Sequence, residues 1–228
     1  MIDLFIAGHG KNLNTGYFDA GATGYISKGE HRYMVEDLFP AMKKYLPDGV
    51  KAIFHTRYNV YSHKDIVSLA KRYGEDVRVT EFHFDAGGVN YSKAGGHVII
   101  QSGLQPDKLD LKLRNAIKNT VGLHPNYSDG ISKRDNLQNP RLAMKGGINY
   151  RLLELGMSTH KENANYMIKN VDTIAKELVK AFYGTVKNNT QETNKLFRDQ
   201  VGAFSKLENA KQLQNELRKK GYTDSFII

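Results

Sequence analysis

Short apolar runs alternate with helically patterned stretches along the first 184 residues, and this alternation restricts the fold more than any single motif. Ile2-Asp3-Leu4-Phe5-Ile6, Ala52-Ile53-Phe54-His55-Thr56, Val77 to Phe82, His97-Val98-Ile99-Ile100 and Arg151-Leu152-Leu153 are each short and apolar or β-branched. Glycine or polar clusters bound them, which is how strands read. Strands that alternate with helices imply a parallel sheet with helices packed against it. The expected fold is α/β: a twisted, mostly parallel sheet with helices on both faces, followed by a small β-α-β unit at the C-terminus.

Chemistry-bearing residues gather at one end of these runs. His9 follows the first run through Ala7-Gly8, His83 closes the run from Val77 to Phe82, and Glu154 closes Arg151-Leu152-Leu153. Ligands of open α/β sheets bind beyond the carboxyl ends of the strands, so these three residues are expected to share that edge. Glu30 follows a stretch from Lys11 to Gly29 rich in Gly, Asn and Thr, too long for a plain connection in a compact domain. It opens an amphipathic pattern carrying Met34, Leu38, Met42 and Tyr45, which Pro40 must kink or divide.

Two imidazoles and a carboxylate are the ligand set of a catalytic zinc site with one open position. A further carboxylate that does not bind the metal is what such a hydrolase needs as its base. His9, Glu30 and His83 are therefore candidate zinc ligands, and Glu154 is the candidate general base. The remaining histidines are expected outside the site. His55 and His97 read as core or rim residues, with His97 at the opposite edge because it begins its strand. His31, His63, His124 and His160 fall in helix-start or loop contexts and are expected to be solvated.

Other local signals divide the chain further. Ser62 and Asp65 form a capping-box pattern ahead of Ile66, Leu69 and Tyr73, with Gly74 closing the helix. Pro106 suits the start of a helix bearing Leu109, Leu113, Ile117 and Val121. Residues 123–150 are polar and irregular and are expected to wrap the site. One long helix is expected from Glu162 to Phe182, ended by Gly184.

Composition sets the class. At 228 residues, 40% hydrophobic and 25% charged, the chain suits one well-buried domain with a small appendage. It has no cysteine, so thiolate sites and disulfides are excluded and any metal must use His and carboxylate. A net charge of +9 favours an anionic partner: nucleic acid, a lipid surface or an anionic wall polymer. Lys and Arg are scattered without an RNA-binding motif, so no nucleic acid partner is expected. No apolar run approaches a membrane span, and no membrane insertion is expected. The first segment contains Asp3, lacks a basic flank and runs directly into His9. It reads as a core strand and not a signal peptide, so synthesis in the cytoplasm is expected.

Four motifs in order resemble the zinc-dependent N-acetylmuramoyl-L-alanine amidases of type 3. His9-Gly10 with Asp19-Ala20-Gly21-Ala22-Thr23-Gly24 is similar to the family's H-G-G-x-D-P-G-A-x-G, with an insertion between the halves and Ala20 in place of Pro. Gly29-Glu30 resembles the second ligand at its helix start, and Glu81 to Ala86 the strand of the third ligand. Gly130-Ile131-Ser132-Lys133-Arg134-Asp135-Asn136-Leu137 and Leu152-Leu153-Glu154-Leu155-Gly156-Met157 resemble G-I-K-R-x-x-L and L-x-E-x-G-F. The resemblance implies a Zn2+ cofactor on His9, Glu30 and His83, catalysis by Glu154, and hydrolysis of the amide between N-acetylmuramic acid and L-alanine in peptidoglycan. It also suggests substrate contacts at Lys133, Arg134 and Asp19, and action on the cell wall after release by a holin or by lysis, as for phage endolysins. Two alternatives stay open: a zinc carboxypeptidase or endopeptidase on the stem peptide, and a non-catalytic basic wall-binding protein.

The tail is set apart. Residues 1–184 form the expected amidase domain, polar residues 185–195 a linker, and residues 196–228 a separate unit. Gln200-Val201-Gly202-Ala203-Phe204-Ser205 resembles the opening of a SPOR repeat, a module that binds peptidoglycan, with only the first half of such a module present. The tail pattern is Val201 to Phe204 as a strand, Ser205 and Glu208 as a capping box, Leu207, Ala210, Leu213 and Leu217 on a helix, and Tyr222 to Ile228 as a second strand. One β-α-β unit leaves strand edges open. A homodimer through residues 196–228 would cover them.

Overall fold

The computed structural model describes residues 1–88, 90–187 and 203–220. Two units divide the chain, residues 1–189 and 190–228. In chain order the first unit runs β1 (Ile2–Ala7), β2 (Gly10–Lys11), β3 (Phe18–Asp19), α1 (Glu30–Tyr33), α2 (Phe39–Tyr45), β4 (Ala52–His55), α3 (Val60–His63), α4 (Ile66–Lys71), β5 (Val77–Asp85) and β6 (His97–Gln101). It continues with α5 (Lys108–Asn119), β7 (Ile131–Arg134), α6 (Gln138–Lys145), β8 (Asn149–Met157), α7 (Lys161–Lys169) and α8 (Val171–Tyr183).

Six strands form one sheet in the order β4-β1-β5-β8-β6-β7. β1, β4, β5 and β8 are mutually parallel, while β6 pairs antiparallel to β8 and parallel to β7. The expected mostly parallel sheet is therefore present, with β6 and β7 reversed. Apolar side chains alternate between its faces. Phe5, Phe82, Val98 and Leu153 pack with Met42 of α2, Leu113 of α5 and Leu178 of α8. Leu4, Ile6, Val79, Ile99 and Leu152 pack on the other face with Ile66 and Leu69 of α4 and Ala143 of α6. Burial on both faces explains why the strands read as continuous apolar runs.

Several local expectations needed correction. Pro40 neither breaks nor sharply divides its helix. Met34–Leu38 widens into a π turn in which the Phe39 N–H donates to Met34 O, so the register shifts before the residue that lacks a donor. The Ser62–Asp65 capping box ahead of α4 does not form: Asp65 is the N-cap of α4 without a side-chain cap bond. Ser62 lies inside α3, whose cap Asn59 accepts from Ser62 N at 3.1 Å. Residues 123–150 are not merely irregular, because they contain β7 and α6. The long helix from Glu162 is split at Asn170, whose φ of −119° and ψ of 29° end α7 before α8 begins. Gly184 does close α8, in the left-handed conformation at φ 77°.

In the second unit, α9 spans Leu207–Lys219. Lys206 occupies its N-cap without a side-chain cap bond, so the Ser205–Glu208 capping box does not form. Ala203 and Phe204 lie outside any strand, and Phe204 and Leu207 are exposed. The strand expected over 222–228 and the first two residues of the one expected at 201–204 lie outside the described residues.

Candidate metal centre

His9 sits two residues beyond β1, where the chain turns into the β2–β3 hairpin. Its φ of 60° places a non-glycine residue in the left-handed region, a costly conformation that clusters at functional sites. β3 returns Asp19 opposite Gly10, and Asp19 Oδ2 accepts from His9 Nδ1 at 2.7 Å. The ring is thus oriented with Nε2 facing Glu30, 3.4 Å from Oε2. Burial alone would raise the Asp19 carboxyl. Hydrogen bonds from His9 and from Gly21 N–H outweigh it and hold Asp19 below its ordinary range.

Glu30 opens α1 and is 1% exposed. Its carboxylate is fully tied: Oε2 accepts from Ala22 N at 2.9 Å, and Oε1 accepts from Phe84 N at 3.2 Å and lies 2.6 Å from His83 Nδ1. A buried carboxylate between two imidazoles needs a cation or donors on every lone pair. Among the described residues, His9, Glu30 and His83 form the group whose ligand atoms all lie within 4.8 Å of one another.

Glycines make this closeness possible. A Cβ on Gly8 would stand 2.1 Å from His83 Cε1, and one on Gly21 would stand 2.6 Å from His9 Cδ2 and 2.7 Å from Glu30 Oε2. His31 is buried too, against the expectation that it is solvated. Its Nδ1 lies 2.8 Å from Gly8 O, and burial lowers its pKa, so it braces the turn as a neutral ring.

The sheet places a row of candidate site residues on one face. In Cα register His83 of β5 stands beside Glu154 of β8, and Glu154 stands beside His97 of β6. Burial first, and then the nearby Asp85 charge, push the Glu154 carboxyl well above the usual range, and its Oε2 has no hydrogen-bond partner among the described residues. A buried carboxylate with a raised pKa and a free lone pair beside a candidate metal site has the properties of a proton shuttle.

His97 lies in this row and not at the far edge, because β6 runs antiparallel to β8 and begins at His97 beside Glu154. It is 1% exposed, neither ring nitrogen has a hydrogen-bond partner among the described residues although Asp85 Oδ2 lies 3.8 Å from Nδ1, and it packs on Tyr127 at a centroid distance of 4.0 Å. Burial, with help from His124 and Arg134, pushes its pKa down to about 3. His124 is likewise buried and not solvated. Arg134 shares the face of Glu154 and contributes its charge to Asp85, Glu154 and His97. Lys133 does not: pairing puts it beside Ile100 on the other face, where its Nζ donates to Gln105. The residues that a sequence reading overlooks here are Glu81, Asp85, His97, His124 and Tyr127. For Glu81 a signal existed, since strand alternation puts residues two apart on the same face, and Glu81 and His83 are two apart.

Comparison with known proteins agrees with this architecture. The first unit superposes on the N-acetylmuramoyl-L-alanine amidase from Clostridium difficile 630 with a TM-score of 0.60 at 18% identity, over 80% of this chain and 95% of that one. It matches a Mycobacterium smegmatis N-acetylmuramyl-L-alanine amidase with a TM-score of 0.62 at 14% identity, over 81% and 95%. The chain has the fold of N-acetylmuramoyl-L-alanine amidases. The catalytic domain of an endolysin targeting Clostridia difficile matches with a TM-score of 0.58 at 18% identity, over 81% and 98%. By sequence the chain is 32% identical over 197 residues to the probable autolysin PH of Staphylococcus aureus, strain NCTC 8325. That match takes in 79% of this chain and 38% of the relative's length. Residues 193–228 match the SPOR domain model, in keeping with the resemblance of the tail. No helix among the described residues is long and apolar enough to cross a membrane.

Proposed function

We propose that this amidase-fold protein is a zinc-dependent peptidoglycan amidase that hydrolyses the amide between the lactyl group of N-acetylmuramic acid and L-alanine. One observation carries the reading. Two imidazoles and a buried carboxylate converge within 4.8 Å, and Glu154, whose Oε2 has no hydrogen-bond partner among the described residues, is paired in register beside one of them. The donors fit zinc, since a two-His, one-carboxylate set is an open catalytic site for that metal. His9, Glu30 and His83 would hold it. When bound, zinc acts as a Lewis acid on the scissile carbonyl and acidifies water.

The chain's own residues do the rest. Glu154 takes a proton from the attacking water and returns it to the leaving nitrogen of L-alanine as the C–N bond breaks. Its raised pKa suits both halves of that transfer, because a carboxyl that gains and releases a proton readily is matched to the task. Asp19 keeps His9 facing the site, and Arg134 sets a positive charge beside the carboxylates. Asp19 therefore serves as a ring-orienting residue and not as a substrate contact. Residues 193–228 act as a wall-binding module, and residues 196–228 pair with the same segment of a second copy to make a homodimer. The place of action is the cell wall.

Digestion of purified peptidoglycan tests the reading. New amino groups on L-alanine without new reducing sugars are expected. New D-amino acid ends would select a peptidase, and no release at all would select a binding protein.

A further inference from the structure

His83 is held from two sides. Its Nδ1 lies 2.6 Å from Glu30 Oε1, inside the ligand cluster, and its Nε2 lies 3.1 Å from Glu81 Oε1, outside it. Glu81 and His83 are two residues apart on β5, so the strand's alternation puts both on one face. Glu81 is 3% exposed and lies deeper than His83 on the face that packs against α4 and α6. A carboxylate buried there is costly unless its lone pairs are matched. They are matched: Asn139 Nδ2 of α6 donates to both oxygens, at 3.2 and 2.9 Å, and the Tyr150 hydroxyl of β8 donates to Oε2. Two separate elements, α6 and β8, thus converge on one carboxylate whose remaining contact is a candidate ligand's ring.

We infer that Glu81, anchored by Asn139 and Tyr150, is a positioning residue that fixes the tautomer and orientation of His83, so that Nδ1 is the atom presented to the metal. The inference rests on the zinc reading above. A neutral imidazole that ligates through one nitrogen carries its proton on the other, and a carboxylate acceptor on that proton locks the ring. Glu81 is the acceptor, and Nε2–H is the donor it selects. Gly8 completes the seat, because any side chain there would occupy the space of the ring.

The test is a zinc titration of the full-length chain by competition with a chromophoric chelator, with imidazole nitrogen shifts recorded for the zinc-loaded protein. The wild-type protein is expected to bind one zinc and to show His83 protonated on Nε2. Glu81→Gln is expected to weaken zinc 10- to 100-fold, the range for loss of such an outer partner, and to mix the His83 tautomers. The amide of Gln offers a donor as well as an acceptor to Nε2. Tyr150→Phe removes one anchor and is expected to weaken zinc less, in the same direction. It carries the test if Glu81→Gln does not fold. A folded Glu81→Gln variant with wild-type zinc affinity and an unchanged His83 tautomer overturns the role of Glu81 while the zinc reading stands. A wild-type protein that takes up no zinc overturns both.

Discussion

Gly8→Ala isolates the packing on which the site depends. A Cβ on Gly8 would stand 2.1 Å from His83 Cε1 and 2.5 Å from both ring nitrogens. Ordinary contact begins near 3.4 Å, so the ring must retreat by about 1.3 Å. It has little freedom to do so, since Nδ1 is fixed by Glu30 and Nε2 by Glu81. Overpacking of this kind costs about 1–3 kcal/mol, and a lost hydrogen bond to a charged partner adds about 1.5–3 kcal/mol. We expect Gly8→Ala to destabilise the metal-free protein by about 2.5–6 kcal/mol in urea titrations. The backbone itself does not object, because Gly8 is not among the positive-φ glycines. In a His83→Ala background the same change should therefore be neutral or stabilising by about 0.4–1 kcal/mol, as for glycine at a compatible position. The double-mutant cycle measures the difference directly. Equal destabilisation in both backgrounds would refute the reasoning, since the cost would then lie in the backbone turn and not in the imidazole.

Three further outcomes are expected. Glu154→Gln should keep the fold and one bound zinc while turnover on peptidoglycan falls roughly 10²- to 10⁴-fold; near-normal turnover, or loss of zinc, would reassign Glu154. His97→Phe should flatten the acid side of the stability profile. The unfolded ring takes up a proton near pH 6.5 and the folded ring only near 3, so between those values the unfolded state binds more protons and stability falls with acid by up to ~1.4 kcal/mol per pH unit. Urea midpoints from pH 7 to 4 that drop equally in both proteins would show that His97 is not the group responsible. Deletion from Thr190 onward should leave an active monomer with weaker wall binding, whereas light scattering that finds the full-length chain monomeric at high micromolar concentration would rule out pairing through residues 196–228.

The sheet was legible because its strands are covered on both faces. Leu4, Phe5 and Ile6 serve both layers in three consecutive residues, which makes an apolar run that punctuation alone can delimit. The reversal of β6 was not legible. His97-Val98-Ile99-Ile100 has the same composition in either direction, and strand direction is set by how the Gly-rich loop before it and α5 after it cross the sheet edge. That one ambiguity moved His97 from the far edge to the side of Glu154. The break at Asn170 was similarly hidden, since the apolar period continues across it from Met167 to Val171 and Ile174. The π turn before Pro40 is a backbone adjustment for which residue identity gives only the position.

The candidate site residues were legible for a physical reason that does not extend to what surrounds them. His9 follows β1, whereas His83 and Glu154 lie two and three residues inside the ends of β5 and β8. All three fall toward the carboxyl ends of apolar runs that can be read from local composition. The residues that orient them come from distant parts of the chain with no local mark. Asn139 reaches Glu81 across 58 positions, and Tyr150 reaches it across 69. Neither residue type suggests metal chemistry on its own. Glu81 is the exception, being a charged residue inside an apolar central strand at the spacing that places it under His83. A carboxylate in that position weakens the strand as a core element unless it serves another group, and among the described residues the imidazole it meets is the one that faces Glu30. Buried charge in a central strand two residues from a candidate ligand is thus a readable sign of a ring-orienting partner, provided the alternation of side chains is applied before the residue is dismissed as part of the strand.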